Sequence, residues 1–353
     1  MSHGDSSTEL IRSDMINKLF WTESSSFSAP ENLATEAFLS SCAAPGEIIL
    51  FLWQNEKTVV IGRNQNAWKE CRTEALFRDG GTLVRRFSGG GAVFHDLGNL
   101  NISFCVSRAE EDIPRQTRVI LNALAALGVQ AVSNGRNDLE LDGRKFSGHA
   151  FYRRAASSCH HATVMLKVDR ELLEKYLYVS PLKLRSRGVD SVRSRVVNLA
   201  DRFPGLTPSA LCAALKDAFS AEYALKAEPF PWEERLTDDG RKERRALREQ
   251  FSSWDWTFGR RIPFDLEDHV RFPWGEVTLQ LRVNGGRILN AKCWTDAMDP
   301  QWTENMEEAL QGVRFAPEAI RAVFASLPPA SDPRMRENLE NLLLKIGEND
   351  AGI

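Results

Sequence analysis

The sequence predicts an α+β protein whose first unit has a mixed or largely antiparallel sheet and whose second, smaller unit is also α+β. Three observations favour this fold class. Strand patterns do not alternate strictly with helix patterns, one long amphipathic helix interrupts the strand-rich first half, and a clear hairpin opens the last third. Strict strand–helix alternation would instead predict a parallel α/β sheet.

Strand patterns dominate the first hundred residues. The β-branched and aromatic runs 46–53 and 57–62, separated by Gln54-Asn55-Glu56, indicate a hairpin or a pair of strands. Further strands are predicted at 82–86, 92–94 and 100–106. Three successive glycines, 89–91, lie between two of these runs.

An amphipathic helix is predicted between Pro114 and Gly128, because apolar residues recur there at helical spacing and both ends carry stop signals. Two strands follow. The first, 139–145, contains a tight turn at Asp142-Gly143, and the second spans 162–168.

A shift in composition marks the predicted domain boundary. From Pro229 to Gln250 the chain is rich in proline, tryptophan and mixed charge, which we interpret as a polar hinge between domains 14–250 and 252–349. In the second domain we predict a hairpin from 275–283 and 287–290, and helices at 304–310, 317–324 and 338–346.

Composition excludes several classes of protein. The 45 Lys+Arg against 48 Asp+Glu give a net charge of −3, so no general affinity for nucleic acid or anionic membranes is expected. No apolar stretch approaches the roughly 18 residues of a transmembrane helix. The first residues resemble neither a signal nor a transit peptide, so we expect a cytoplasmic protein. Six cysteines without C-x-x-C pairs are predicted to be reduced thiols.

The glycine segment predicts a place where bare backbone is required. Glycines are poor strand residues, so one interpretation is a ligand lying against the main chain, with the Arg86 guanidinium facing an anion. The other is an ordinary glycine-rich turn. A phosphate-binding P-loop is excluded because G-K-[ST] does not follow.

A second constellation lies further along the chain. Asn137 and Asp138 offer hard oxygen ligands of the kind that Mg²⁺ takes, and Lys145 offers a compact positive charge. Each also has an ordinary explanation, as a turn pair and a surface lysine. His160 and His161 are adjacent on a strand, face opposite sides and cannot chelate one metal together.

Taken together, these segments resemble the lipoate–protein ligase family, in its two-domain form within the biotin/lipoate ligase superfamily. The similarity extends from about Phe20 onward. The matching runs are 51–71, 85–99, 135–139, 144–148, His160-His161, 191–198 and 252–256. The resemblance implies a catalytic domain akin to class II aminoacyl-tRNA synthetases at 14–250 and a C-terminal accessory domain at 252–349.

The resemblance also implies a reaction. Lipoate would be activated by Mg-ATP to lipoyl-AMP, and the lipoyl group would pass to a lysine of a lipoyl domain. The acceptors would be E2 subunits of 2-oxoacid dehydrogenases and the glycine cleavage H protein. No tightly bound prosthetic group, nucleic acid or membrane is implied.

Site residues are carried over by position, with Lys145 as the catalytic lysine. Contacts to ATP and lipoyl-AMP are implied for Arg86, Gly91, Ala92, Val93, Phe94 and Lys145; contacts to lipoate for Ser88, Gly90, Lys145, Gly148, Ala150 and His161; and Mg²⁺ binding for Asp138 and Asn137. Segment 180–196 would fold over the adenylate.

Two departures and one main alternative accompany this interpretation. Phe87 stands at a position that is often small in the family, and Phe146-Ser-Gly-His149 replaces a more usual aliphatic and small residue. Both departures would reshape the acyl tunnel and bear on the preferred chain length. The alternative is a lipoyl- or octanoyltransferase that uses a preformed acyl-AMP or an acyl-carrier donor without ATP, and Cys159 is the thiol close enough to form a thioester in one such mechanism. A biotin ligase or an inactive binding module fits the residues less well.

Overall fold

The computed structural model describes residues 16–134, 137–178 and 196–350. It confirms the α+β class. Strands of the first unit are β1 Lys18–Glu23, β2 Glu47–Trp53, β3 Thr58–Ile61, β4 Thr82–Arg85, β5 Val93–His95, β6 Asn99–Ser107, β7 Val132–Ser133, β8 Asp138–Leu141, β9 Arg144–Arg153, β10 Ser157–Met165 and β11 Ala227–Pro229. Its helices are α1 Ala29–Cys42, α2 Ala67–Glu70, α3 Thr73–Arg78, α4 Ile113–Ala126, α5 Arg170–Tyr176, α6 Pro208–Tyr223, α7 Trp232–Arg235, α8 Asp238–Ser252 and α9 Trp254–Phe258.

An eight-stranded mixed sheet organises this unit, in the order β11-β1-β2-β6-β10-β9-β8-β7. β1 runs parallel to β2 and β11, and the pairs from β2 to β7 are antiparallel. Helices α4 and α6 pack together on one face, and α1 packs on the other. A small sheet, β4-β3-β5, is not paired with the large one, but its Val59 and Ile61 are buried in the same core.

Of the two interpretations of 46–53 and 57–62, the pair of strands is confirmed and the hairpin is not. β2 belongs to the large sheet, whereas β3 pairs with β4 and β5 in the small sheet. The strand predicted at 162–168 is β10, which begins earlier, at Ser157, and ends at Met165. The predicted turn at Asp142-Gly143 is present, with φ of 51° and 72°.

The second unit has its own hydrophobic core, built around a three-stranded antiparallel sheet. Its elements are β12 Leu266–Phe272, β13 Gly275–Asn284, β14 Arg287–Thr295, α10 Pro300–Ala309, α11 Pro317–Ser326 and α12 Arg334–Asp350. The predicted hairpin and all three predicted helices are therefore present.

The Pro229–Gln250 connector is not the polar hinge that its composition suggests. Helix α8 packs along α1, and its Leu247 and Phe251 are buried in the core that the two helices share. The charged residues of α8 form only its outer face. We therefore propose that the first unit extends through α9, beyond the predicted end at residue 250.

Candidate active site

A cleft of about 1170 Å³, with walls from both units, brings the predicted site residues together. Those that line it are Arg86, Gly90, Gly91, Ala92, Val93, Phe94, Asn137, Asp138, Lys145, Gly148, Ala150 and His161. Ser88 does not line it, because its hydroxyl lies behind the wall and bonds His161 Nε2 at 2.8 Å. Segment 180–196, predicted to cover the adenylate, lies outside the described residues except for Val196.

The floor of the cleft is one row of residues across the large sheet. Asp138 lies opposite Gly148, whose backbone N–H donates to the Thr163 hydroxyl at 3.2 Å. Thr163 lies opposite Asn101, and Asn101 opposite Trp53. Directly opposite residues share a face, so the row is continuous. The sequence interpretation missed the last three residues, although strand alternation places them on this face.

Lys145 lies over the outer end of this floor. Its Nζ is 2.6 Å from Asp138 Oδ1, and the two side chains are 25% and 15% exposed. A Cβ at Gly148 would come within 2.7 Å of Nζ and would displace the amine from its present position. The structure thus fixes a cation on the floor, with its carboxylate partner on the neighbouring strand.

The cleft has a polar end and an apolar end. Asn137, Asp138 and Lys145 line the first, whereas Leu33, Trp53 and Val60 line the second. A ligand with an anionic head and an apolar tail matches this arrangement.

Arg86 does not point its donors at an open anion site, as one sequence interpretation held. Its Nε donates to the Ser88 hydroxyl at 2.9 Å, and Nη2 donates to the backbone oxygens of Gly89 and Gly91 at 2.6 and 2.9 Å. Nη1 donates to the Val60 oxygen at 3.2 Å. Burial lowers the pKa of Arg86 to about 10, so it stays charged at neutral pH. In this structure it holds the glycine segment in shape.

The glycine segment 89–91 is in close contact with the backbone of the second unit. A Cβ on Gly89 would lie 2.2 Å from the Ala297 backbone oxygen, and the Gly90 N–H donates to that same oxygen at 3.1 Å. Gly90 also has φ of 88°, which favours glycine. The bare backbone is therefore required by a protein contact that sequence reasoning did not foresee.

The predicted effect of Phe87 on the acyl tunnel is not supported by its position. Its ring packs against Phe251, Tyr152 and Trp256, at centroid distances of 4.7, 5.0 and 5.2 Å, and it does not line the cleft. His149 faces His160, with 2.9 Å between His149 Nδ1 and His160 Nε2.

Glu36 is a buried acid that sequence reasoning missed, and it fixes His161. Glu36 Oε1 lies 3.1 Å from His161 Nδ1 and accepts from the Ser103 hydroxyl at 2.5 Å. Cys159 lies close enough that the three side chains place ligand atoms within 4.8 Å of one another. Because Glu36 and His161 already satisfy each other, we assign no metal here.

From the Glu36–His161 pair we predict that the stability of the protein decreases at high pH. Burial alone would lower the pKa of His161, but the Glu36 carboxylate outweighs it and raises the pKa to about 9. The contribution of protonated His161 to the free energy of unfolding is therefore complete below about pH 6.5 and is lost as pH rises to about 9. We expect the difference in unfolding free energy between the wild type and His161→Gln, measured in urea, to shrink between pH 6 and pH 9.5. A difference that stays constant or grows would contradict the assignment.

Polar contacts join the two units beside the cleft. Arg63 Nε lies 2.7 Å from Glu304 Oε1, and Arg260 contacts the same carboxylate. Asn64 is 2% exposed and donates to the Thr303 hydroxyl at 2.6 Å. The segment after β3 therefore anchors the second unit over the glycine segment.

Comparison with protein families accounts for both units. The lipoyl protein ligase A/B catalytic domain matches residues 28–220, more than half of the chain, and the bacterial lipoate protein ligase C-terminus matches residues 261–343. The chain belongs to the lipoyl protein ligase family. The predicted family is thus confirmed, and helices α7 to α9 lie between the two matched regions.

Solved structures agree with this assignment. The P. falciparum LipL1 complex with lipoate is 25% identical with a TM-score of 0.78, and the match covers 93% of this chain and 99% of that one. A bipartite lipoate protein ligase of Thermoplasma acidophilum, described with its E2 lipoyl domain, is 26% identical over 71% of this chain and 100% of that one, with a TM-score of 0.60. Lipoate-protein ligase A bound with ATP is 25% identical over 69% and 99%, with a TM-score of 0.59.

One further observation concerns membranes. Among the helices of the described residues, none combines the length and the apolar character needed to cross a bilayer.

Proposed function

We propose that this lipoyl protein ligase activates free lipoate with Mg-ATP and transfers the lipoyl group to a lysine of lipoyl-domain proteins. The observation that carries the proposal is Lys145, whose amine is held on the cleft floor next to Asp138. Family neighbours described as bound to lipoate and to ATP support both substrates.

In the first step, a lipoate carboxylate oxygen attacks the α-phosphorus of ATP, and pyrophosphate leaves. Both reactants are anions, so their approach needs a fixed cation between them. The Lys145 amine supplies that charge in a partly buried site, where it acts more strongly than in water. The apolar end of the cleft orients the acyl chain, so the bound lipoate loses little further freedom when it reaches the transition state.

In the second step, the neutral ε-amine of the acceptor lysine attacks the acyl carbonyl of lipoyl-AMP. An amide bond forms, AMP leaves with the bonding electrons, and the amine proton passes to solvent. Lys145 stabilises the negative charge that develops on the carbonyl oxygen. No acyl-enzyme forms.

A magnesium ion fits the polar end of the cleft. Asp138 and Asn137 line that end, and their side chains carry the hard oxygen atoms that Mg²⁺ prefers as ligands. When bound, the ion would neutralise phosphate charge. The residues named would hold it there together with the nucleotide phosphates.

Lipoyl domains are the proposed acceptors. A family neighbour described together with its E2 lipoyl domain supports this class of partner. We extend the proposal to E2 subunits of 2-oxoacid dehydrogenases and to the glycine cleavage H protein. A cytoplasmic location goes with the proposal, because ATP is available there and its reducing conditions suit the six free cysteines.

The test is the complete reaction. The purified chain, given ATP, lipoate and an apo lipoyl domain, should increase the acceptor's mass by one lipoyl group, and omission of ATP should prevent it. Modification that proceeds equally well without ATP would contradict the proposal.

The transferase alternative is tested through Cys159. This thiol is 1% exposed, lies 3.9 Å from Cys105 Sγ, and has a pKa raised well above its usual value by the Cys105 contact and by burial. Such a thiol is a poor nucleophile. We expect Cys159→Ser to keep at least half of the wild-type transfer rate from supplied lipoyl-AMP. Loss of transfer, with a trapped acyl thioester in the wild type, would favour the alternative.

A further inference from the structure

A buried histidine that the proposed mechanism does not use lies at the apolar end of the cleft. His95 ends β5, is 3% exposed and lines the cleft. Its ring meets Trp53 edge-on at a centroid distance of 6.3 Å. It therefore belongs to the region where an apolar ligand tail would lie.

A chain of amides fixes the tautomer of His95. Asn32 Nδ2 donates to the backbone oxygens of Ser26 and Gln54, at 3.0 and 2.8 Å, so it is the nitrogen. Asn55 Oδ1 lies 3.0 Å from the same Nδ2 and shares one of its two hydrogens, because a reversed Asn55 amide would place two nitrogens against each other. This orientation leaves Asn55 Nδ2 facing His95 Nδ1 at 3.1 Å. Nδ1 therefore accepts, and in the neutral ring the proton sits on Nε2.

The His95 ring is neutral at physiological pH. Burial, with a further contribution from the Arg86 charge, lowers its pKa to about 3. Its Nε2–H is buried and has no hydrogen-bond partner among the described residues. A buried donor without an acceptor is unfavourable, so its presence in a cleft wall points to an acceptor on the ligand.

The position of that acceptor follows from the sheet. Lys145 lies on β9 and Trp53 on β2, with β10 and β6 between them. Three strand spacings separate the two ends of the floor by about 14 Å. A lipoyl group with its carboxylate at Lys145 and its chain extended along the floor would bring the dithiolane ring beside Trp53 and His95.

We propose that His95 Nε2–H donates a hydrogen bond to a ring sulfur of lipoate, and that this contact makes the site prefer lipoate to octanoate. The inference rests on the proposed function. Octanoate has the same chain length but no sulfur, so it would leave the donor unsatisfied. Thioether-like sulfur is a weak acceptor, so we expect a preference of roughly fivefold.

Two variants separate the donor from the rest of the ring. His95→Asn keeps an acceptor for Asn55 and removes the donor at the Nε2 position. His95→Gln can place an amide N–H at that position. The dissociation constants of lipoate and octanoate are measured by calorimetry for the wild type and both variants, and KM and kcat are measured in the ligation assay.

The expected result is a wild-type preference for lipoate that His95→Asn abolishes through weaker lipoate binding, with octanoate binding unchanged and kcat little altered. His95→Gln should retain part of the preference. Equal affinity of the wild type for both acids, or equal weakening of both by His95→Asn, would overturn the proposal.

A second measurement covers the case in which His95→Asn does not fold. In the wild type, the ¹⁵N shift of His95 Nε2 should move when lipoate binds and stay in place with octanoate. The same movement with both acids would overturn the proposal. Neither the dissociation constants nor the ¹⁵N shift depends on turnover. If the protein binds lipoate more tightly than octanoate but ligates neither acid, the proposed function is refuted and the role of His95 is not.

Discussion

Lys145→Ala should lose both the formation of lipoyl-AMP and the transfer of its lipoyl group, by roughly a hundredfold to a thousandfold each. The reason is electrostatic: the amine is the fixed cation that both transition states need. The Lys145–Asp138 pair is partly exposed, so its loss should change the unfolding free energy by about 1 kcal/mol or less. Pyrophosphate release and acceptor mass, with urea unfolding, measure the two effects separately.

A matched control exists in the same unit. Lys216 Nζ lies 2.6 Å from Glu23 Oε1 and its side chain is 26% exposed, which closely resembles Lys145, but it does not line the cleft. Lys216→Ala should keep nearly full activity. Equal activity in the two variants would show that Lys145 is an ordinary surface pair and that the mechanism is wrong.

Arg85→Met should destabilise the protein by roughly 3–5 kcal/mol. Arg85 is 1% exposed and its guanidinium has backbone carbonyl oxygens as its hydrogen-bond partners. The acceptors are those of Gly62 at 3.1 Å, Arg63 at 3.0 Å, Gln65 at 2.6 Å, Trp256 at 3.0 Å and Thr257 at 2.5 Å. The Gly62 and Arg63 oxygens would keep the Gln65 N–H and the Arg260 guanidinium as donors. The oxygens of Gln65, Trp256 and Thr257 would lose the Arg85 donor, and the segment after β3 would lose its link to α9.

The control for this prediction is Arg78→Met, because the Arg78 side chain is 73% exposed and its nearest carboxylate oxygen, on Asp79, is 4.0 Å away. Its effect should lie within about 0.5 kcal/mol. The free energy of unfolding in urea is the measurement for both variants. A similar small change in each would mean that other donors or water replace Arg85.

Strands, hairpins and amphipathic helices could be predicted from the sequence because their signals are local. Helix α4 has apolar residues on one face, and the hairpin of β13 and β14 has glycines at its turn. The Gly143 turn likewise places Lys145 next to Asp138. The end of the cleft that contains Asp138 and Lys145 could therefore be predicted from local sequence patterns.

Helix α1 shows why other elements were missed. Nine consecutive residues from Asn32 to Ser40 are buried, so this stretch of the helix has no exposed face, and its polar and apolar residues follow no clear periodicity. Glu36 lies within this buried stretch. Its partner His161, whose contact gives the acid a role in the site, is 125 positions away in the sequence. Pairings of this kind depend on tertiary packing, which a single sequence does not display.

Averaged composition misled the prediction at the connector. The charges of α8 suggested a solvated hinge, yet Leu247 and Phe251, four residues apart, form a narrow apolar stripe against α1. Similarly, the glycine segment signalled a close approach correctly, but nothing local could show that Ala297 of the second unit is what approaches.

Pyrophosphate release in the absence of any acceptor protein tests the central claim most directly, because it isolates the activation of free lipoate from its transfer. With ATP, Mg²⁺ and lipoate, we expect about one equivalent of pyrophosphate per active site in a rapid burst, with lipoyl-AMP retained on the protein. Lys145→Ala should show no such burst and should release pyrophosphate at least a hundredfold more slowly. No lipoate-dependent pyrophosphate from the wild type, together with full transfer from supplied lipoyl-AMP, would contradict the account and identify the protein as a transferase.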